Sequence, residues 1–128
     1  MKIRHAAEPP MGLPAENTFE AFDDQENSLG WAAVVEKELP QLLPDRPLDL
    51  MIAADCRRKA EGALLGAATT RALVLRRQKP ALPARVYAPC LEKDEARLQL
   101  LTSMGYVRDD FNMRMTLREL SGPRVRRA

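Results

Sequence analysis

Side chains that build metal sites and disulfides are scarce in this sequence. Its 128 residues include two cysteines, Cys56 and Cys90, and one histidine, His5. A structural zinc site takes four Cys or His ligands, so no such quartet can be assembled and we expect no metal. The cysteines form no CxxC pair and indicate a reducing compartment, from which we predict a cytoplasmic protein.

Long apolar runs are also missing. The apolar stretches fall well short of the roughly 18 residues that suggest a transmembrane helix, and MKIRHAAEPPMG lacks the apolar region of a signal peptide. We therefore expect no membrane association. The net charge is only +2, and Arg124, Arg126 and Arg127 near the C-terminus supply much of the positive excess. The composition predicts no nucleic-acid partner, because no basic field covers the domain.

The residues that are present are typical of one soluble globular domain. Hydrophobic residues make up 45% and charged residues 30% of the chain. A chain of this length buries roughly two-thirds of its unfolded surface and needs no disulfide or metal. We predict a single domain over residues 1–120 and a flexible basic tail over residues 121–128.

The first third of the chain is predicted to be mostly β-strand. A short strand over MKIRHA precedes an irregular, proline-rich connection over AEPPMGLPAEN, and a β-hairpin runs from TFEAFD to LGWAAVVEKEL. Gly30, near the start of the second hairpin strand, indicates a bulge or a close backbone approach. PQLLPDRP predicts a loop.

A strand–helix–strand unit follows. Residues 48–54 are almost wholly apolar, which is typical of a strand buried on both faces. A helix is predicted from Glu61 to Arg77, and a second strand over residues 84–88 should run parallel to the first. The apolar stripe of this helix is Leu64, Leu65, Ala68, Ala72 and Leu75. A second helix over residues 92–104, with Gly105 at its C-terminal end, and a closing strand or hairpin over residues 106–117 complete the prediction.

The stretch DCRRKAEGALL, residues 55–65, is the first candidate for a site. At a strand-to-helix turn, helix amides without intrahelical partners and the positive end of the helix dipole bind anions. Gly62 would let a ligand approach the backbone, and the RRK run adds charged donors. Two interpretations stay open at this point: a seat for phosphate groups, or a solvated charge run. Glu61 weighs against the first, because its carboxylate competes with an anion for the dipole.

The same stretch resembles a known motif. Residues 57–62, RRKAEG, are similar to the R/Q-x-x-G-x-G/A pyrophosphate loop of the GCN5-related N-acetyltransferase (GNAT) superfamily. Arg57 matches the first position and Gly62 the last, whereas Ala60 replaces the middle glycine. The resemblance covers roughly residues 18–117 in the right order, including a Gly-Trp pair at Gly30 that matches the family's glycine entering its third strand.

A second block carries the resemblance further along the chain. DEARLQLLTSMGY, residues 94–106, resembles the family's helix that ends in Gly-Phe, with Tyr106 in place of the phenylalanine. In many members this helix starts with an asparagine and carries a tyrosine four residues before the glycine. Those positions hold Asp94 and Leu101 here.

The resemblance implies an α/β chain with a central mixed β-sheet and flanking helices, the GNAT-like acyl-CoA N-acyltransferase fold, with its N-terminal helices reduced or absent. It implies acetyl-CoA as cosubstrate and transfer of an acetyl group to a primary amine. A catalytically degenerate acyl-CoA-binding or regulatory module is the alternative. The thioester is expected where strands 48–54 and 84–88 part. The implied cofactor-binding residues are Ile52, Ala53, Ala54, Arg57, Arg58, Lys59, Ala60, Glu61, Gly62, Ala63 and Asp94.

The acid and base of such a transfer are less clear from the sequence. Leu101 cannot donate a proton, so either another residue does so or the thiolate leaves unaided. Tyr87 is the candidate acid, with core or half-buried packing as its alternative, and Tyr106 is better explained by packing. Candidate bases are Glu36 and Glu38 at the end of the hairpin, and the aspartates at positions 49 and 55 that flank the next strand. The alternative for each carboxylate is an ordinary surface position.

The short connection over AEPPMGLPAEN leaves the acceptor side open. Family members usually place two helices there. A large acceptor such as a protein N-terminus or lysine, a homodimer that supplies the wall, or a degenerate domain would each be consistent with this. A small-molecule amine is equally allowed, because the sequence has no acceptor-specific pattern.

Overall fold

The computed structural model describes residues 1–36, 48–53, 56–80, 84–91, 93–109 and 112–117. Two short 3₁₀ turns, Pro10–Gly12 and Ala15–Asn17, lie between the first two strands. The strands and helices are β1 (Lys2–His5), β2 (Thr18–Phe22), β3 (Ser28–Glu36), β4 (Leu48–Ile52), α1 (Arg58–Gln78), β5 (Arg85–Pro89), α2 (Glu95–Ser103), β6 (Val107–Asp109) and β7 (Asn112–Thr116).

All seven strands form one mixed sheet in the order β1-β2-β3-β4-β5-β7-β6. Neighbouring strands are antiparallel except β4 and β5, which are parallel and are connected through α1. The predicted mixed sheet and its strand–helix–strand unit are therefore confirmed. The predicted hairpin of β2 and β3 is present, and β6 and β7 pair antiparallel, which matches the hairpin alternative predicted for this part of the chain.

Both helices lie on the same face of the sheet. The predicted stripe of α1 is buried in full and packs on alternate residues of the central strands, such as Val34, Leu48 and Leu50. Each fully buried leucine contributes roughly 1.5–3 kcal/mol. Beside α1 lies α2, since a Cβ built at Gly62 of α1 would lie 3.5 Å from Leu100 Cδ1 of α2. The connection from β1 to β2 holds only the two 3₁₀ turns, so the family's N-terminal helices are absent, as predicted.

The first helix begins earlier than the sequence predicts. It starts at Arg58 rather than at Glu61, because Ala60 already belongs to the buried stripe and Arg58 pairs with Glu61 within the first turn. Residues 58–60 are therefore helical rather than part of a turn. The amides of residues 62 and 63 follow a full helical turn and bond inside the helix.

The end of α2 follows the prediction closely. Gly105 has φ of +103°, and its N–H donates to Thr102 O (3.0 Å) while Tyr106 N–H donates to Leu101 O (3.0 Å). These two hydrogen bonds form the Schellman motif. The motif places one residue at positive φ, where glycine is favoured because it has no Cβ. The loop predicted over PQLLPDRP and the basic tail lie outside the described residues.

Candidate functional site

β4 and β5 part from each other soon after they meet. One bridge pair, Asp49 with Tyr87, joins them, although regular parallel strands exchange hydrogen bonds along their whole length. A pairing this short agrees with the predicted parting of the two strands. At their carboxyl ends lies a cavity of about 390 Å³, called the cleft from here on. Its described lining residues are Leu50, Met51, Ile52, Pro89, Cys90, Leu91 and Arg97.

Fewer backbone groups of β4 face the cleft than the sequence predicts. Ala53 N–H donates to Trp31 O at 3.0 Å, so that amide belongs to the pairing with β3. Successive amides along a strand point to opposite sides, and the amide of Ile52 therefore points toward β5. Ala54 lies outside the described residues.

The N-terminus of α1 has no side-chain cap. Arg57 occupies the N-cap position with extended backbone angles, φ −71° and ψ 135°, and its side chain makes no capping hydrogen bond. Its N–H donates to Leu29 O and its carbonyl accepts from Ala60 N–H, both at 2.9 Å. The amides of Arg58 and Lys59 have no acceptor inside the helix. These two amides are the part of the predicted anion seat that the helix geometry leaves available.

The turn into α1 rests on the backbone of β3. Gly30 has φ of +134°, and a Cβ added there would lie 2.7 Å from Cys56 Sγ and 3.0 Å from its Cα. The close backbone approach predicted at Gly30 is confirmed. Gly62, by contrast, faces α2, because a Cβ there would be 3.5 Å from Leu100 Cδ1.

Four charged side chains join the first turns of the two helices. We call Arg58, Glu61, Asp94 and Arg97 the helix-start cluster. Arg58 donates to Glu61 Oε1 at 2.8 Å and to Asp94 Oδ1 at 2.9 Å. Arg97 Nε donates to Glu61 Oε2 and lies 3.8 Å from Asp94 Oδ2. The Glu61 side chain is only 2% exposed, so these cations compensate a buried carboxylate.

The cluster alters the electrostatics predicted for the RRK run. Hydrogen bonds to Glu61 and then to Asp94 raise the pKa of Arg58. Burial pushes the pKa of Asp94 upward, but the Arg97 amide and the Arg58 guanidinium outweigh it and hold that pKa below its usual range. Asp94 is also the N-cap of α2, accepting from Arg97 N–H at 3.1 Å. The Arg58 charge is thus shared with two internal carboxylates.

Sequence reasoning missed Arg97 and misjudged Glu61. A signal was available for Glu61, because it lies beside Ala60, Leu64 and Leu65 on the buried side of α1. A carboxylate there needs a cation. No local pattern indicates Arg97, whose partner Glu61 is 36 positions away.

Neither Leu101 nor Tyr106 is placed to act as the proton donor. Leu101 is fully buried in the core. Tyr106 is buried as well, and burial raises its pKa to about 12, partly offset by the hydrogen bond with Thr69. A phenol with that pKa is a poor proton donor at neutral pH, so Tyr106 is a packing residue.

The structure brings two weaker candidates together and separates a third from them. Asp49 and Tyr87 form the bridge pair between β4 and β5, and both are buried. They lie on the sheet face opposite α1, since Leu48, Leu50 and Val86 alternate with them and pack in the core beneath the helices. Glu36 lies on the helix face and accepts a 2.6 Å bond from Lys79. Glu38 and Asp55 lie outside the described residues.

The cleft offers little support for covalent or metal chemistry. Burial, and then the Asp94 charge, raise the pKa of the Cys90 thiol, which keeps it protonated at neutral pH and disfavours an acyl-cysteine. Within the described ranges, no group of three or more His, Cys, Asp or Glu side chains is placed to hold a metal ion.

In that same part of the chain, no helix combines the length and apolarity needed to cross a membrane.

The strand order, the parted parallel pair and the two helices on one face define a GNAT-like fold. The structure is similar to the crystal structure of a "putative phosphinothricin N-acetyltransferase", with a TM-score of 0.53 and 15% sequence identity over 80% of this chain and 72% of that chain. No protein-family model matches the sequence, and no curated protein matches it.

Proposed function

We propose that the protein is an acetyl-CoA-dependent N-acetyltransferase that acts on a primary amine. The observation that carries the proposal is the parting of β4 from β5, which opens a cleft in a sheet of GNAT-like order. The pantetheine arm would pair with the cleft edge of β4 at Ile52, as an added strand does. The pyrophosphate would lie at the amides of Arg58 and Lys59.

The bridge pair beside the cleft provides the candidate groups for the chemistry. The amine nitrogen attacks the thioester carbon, the C–S bond breaks, and the coenzyme leaves as a thiolate. Asp49 is the candidate to accept the amine proton, and Tyr87 is the candidate to protonate the thiolate. Both side chains come from the bridge pair where the strands part.

The missing tyrosine at Leu101 favours a second candidate function. A chain without a proton donor on α2 could bind acyl-CoA and transfer nothing, as a regulatory module. The two functions differ in turnover and share the cofactor site.

Cofactor binding is tested by calorimetry with acetyl-CoA on a matched pair of variants. Arg58→Ala and Arg58→Pro both lose the ion pairs, but only proline also removes the amide. Proline is accepted at the first helical position, and the extended Arg57 before it is compatible with proline. We expect Arg58→Pro to bind about tenfold more weakly than Arg58→Ala, the effect of one hydrogen bond to a charged group.

Turnover is tested by thiol release with a panel of amines that includes phosphinothricin, free amino acids and short peptides. We expect Asp49→Asn and Tyr87→Phe each to lower kcat by about 10²-fold or more. Binding without release on the whole panel would support the regulatory module. No binding by the wild type would disprove both functions.

A further inference from the structure

Arg97 stands out among the residues of the cleft. It is the one charged side chain among the described lining residues, and the others are Leu50, Met51, Ile52, Pro89, Cys90 and Leu91. Its side chain is 14% exposed, so it lies mostly buried against an apolar wall. Its charge is balanced by Glu61 and Asp94, so what it offers an entering anionic group is a set of directed N–H donors that little water screens.

The helix-start cluster fixes the orientation of this guanidinium. Glu61 accepts from Arg97 Nε, and Asp94, the N-cap of the same helix, lies 3.8 Å from that nitrogen. A guanidinium is planar, so one bond at Nε sets the directions of the N–H groups on both terminal nitrogens. Preorganised donors of this kind lose little entropy when they bind an oxyanion.

Arg58 differs from Arg97 in the nitrogens that bond to the carboxylates and in its exposure. It bonds to Glu61 and Asp94 through its two terminal nitrogens, and its side chain is 56% exposed and not among the residues that line the cleft. The terminal nitrogens of an arginine are the ones that grip an oxyanion bidentately. Those of Arg58 are occupied by internal carboxylates.

We propose that Arg97, on α2, is the specificity-determining cation of the cleft and binds an anionic group of the acyl-CoA ligand. That group is either a phosphate of the coenzyme or a carboxylate at the end of the acyl chain. The inference rests on the proposed acyl-CoA function. It assigns recognition of the anion to a residue outside the RRK run and outside the motif that suggested the cofactor.

Calorimetry with three ligands separates these two sources of the anion. Acetyl-CoA carries the phosphates, succinyl-CoA carries the phosphates and an acyl carboxylate, and pantetheine carries neither. Arg97→Gln removes the charge and keeps an amide that can donate to Glu61. Lys93→Ala is the matched control, because Lys93 is an exposed cation just before the N-cap of α2.

If Arg97 binds a phosphate, Arg97→Gln weakens acetyl-CoA and succinyl-CoA about tenfold each and leaves pantetheine unchanged. If it binds the acyl carboxylate, only succinyl-CoA weakens. The double variant Glu61→Gln/Arg97→Gln, which buries a neutral pair, should show the same loss and guards against misfolding of the single variant.

Unchanged binding of both CoA esters by Arg97→Gln and by the double variant overturns the inference while leaving the proposed function intact. An equal loss in Lys93→Ala also overturns it, because the effect would then be one of general charge. Failure of the wild type to bind any CoA ester overturns the proposed function and this inference together.

Discussion

The two turns that lead from parallel strands into helices are built differently. The turn into α2 closes its own helix start, because Asp94 accepts from the Arg97 amide. The turn into α1 has no side-chain cap and is held by β3, through the Arg57 bond to Leu29 and the contact of Gly30 with Cys56. The comparison shows that the start of α1 carries no carboxylate cap, whereas the start of α2 already holds a negative charge that would repel an anion. The uncapped start is the one expected to receive a ligand.

The largest loss of stability should come from a side chain that fills the space between β3 and the turn into α1. Gly30→Ala introduces a Cβ 2.7 Å from Cys56 Sγ and forces an L-residue to φ of +134°. We expect a loss of about 3 kcal/mol in the free energy of unfolding, measured by urea denaturation.

Gly66→Ala is the control for that change. It adds a methyl group on α1 where nothing lies within 4 Å, and it should stabilise the protein by up to about 1 kcal/mol. If Gly30→Ala is tolerated equally well, the turn into α1 does not rest on β3.

A smaller effect should come from removing the cap of α2. Asp94→Ala loses both the cap and the Arg58 ion pair, and we expect a cost of about 1–2 kcal/mol in the free energy of unfolding. Asp94→Asn keeps the cap and loses the charge, so it should cost less.

The Asp94 charge also predicts a pH dependence. Its pKa is lower in the folded protein than in the unfolded chain, so its contribution to stability is present above the unfolded value of about 3.9 and is lost as the pH falls through the folded value. The stability difference between the wild type and Asp94→Asn should therefore shrink below about pH 4. A constant difference across pH would contradict the role of the ion pair.

The smallest expected effect is a gain in stability from giving α1 a side-chain cap like that of α2. Arg57→Asp places a capping carboxylate at the N-cap of α1, where the backbone is already extended. It should raise the free energy of unfolding by about 0.5–1 kcal/mol and weaken acetyl-CoA binding, because the new carboxylate places a negative charge beside the amides proposed for the pyrophosphate. Arg57→Ala, which lacks a cap, should weaken the ligand less. Equal weakening by both variants would show that the Arg57 charge, rather than the open amides, matters.

The fold was more predictable than the site, and the reason is sequence distance. Apolar, β-rich runs that flank a polar turn predicted the β2–β3 hairpin, and the stripe from Leu64 to Leu75 predicted α1, because those patterns reflect neighbours close in sequence. The start of α1 was missed because its N-cap is Arg57, a residue type that gives no capping signal and whose side chain makes no capping hydrogen bond. The Glu61–Arg97 contact and the pairing of Asp49 with Tyr87 join residues more than 30 positions apart, and no local pattern encodes them.

The single bridge between β4 and β5 also bears on how the chain folds. It divides the sheet into β1–β4 and β5–β7–β6, and every pairing inside each half is antiparallel. Antiparallel neighbours can form through short connections, whereas joining Asp49 to Tyr87 must close a loop that contains all of α1. We therefore expect the two halves to assemble first and to meet only after α1 is in place. The cleft would then be the last part of the sheet to acquire its native geometry.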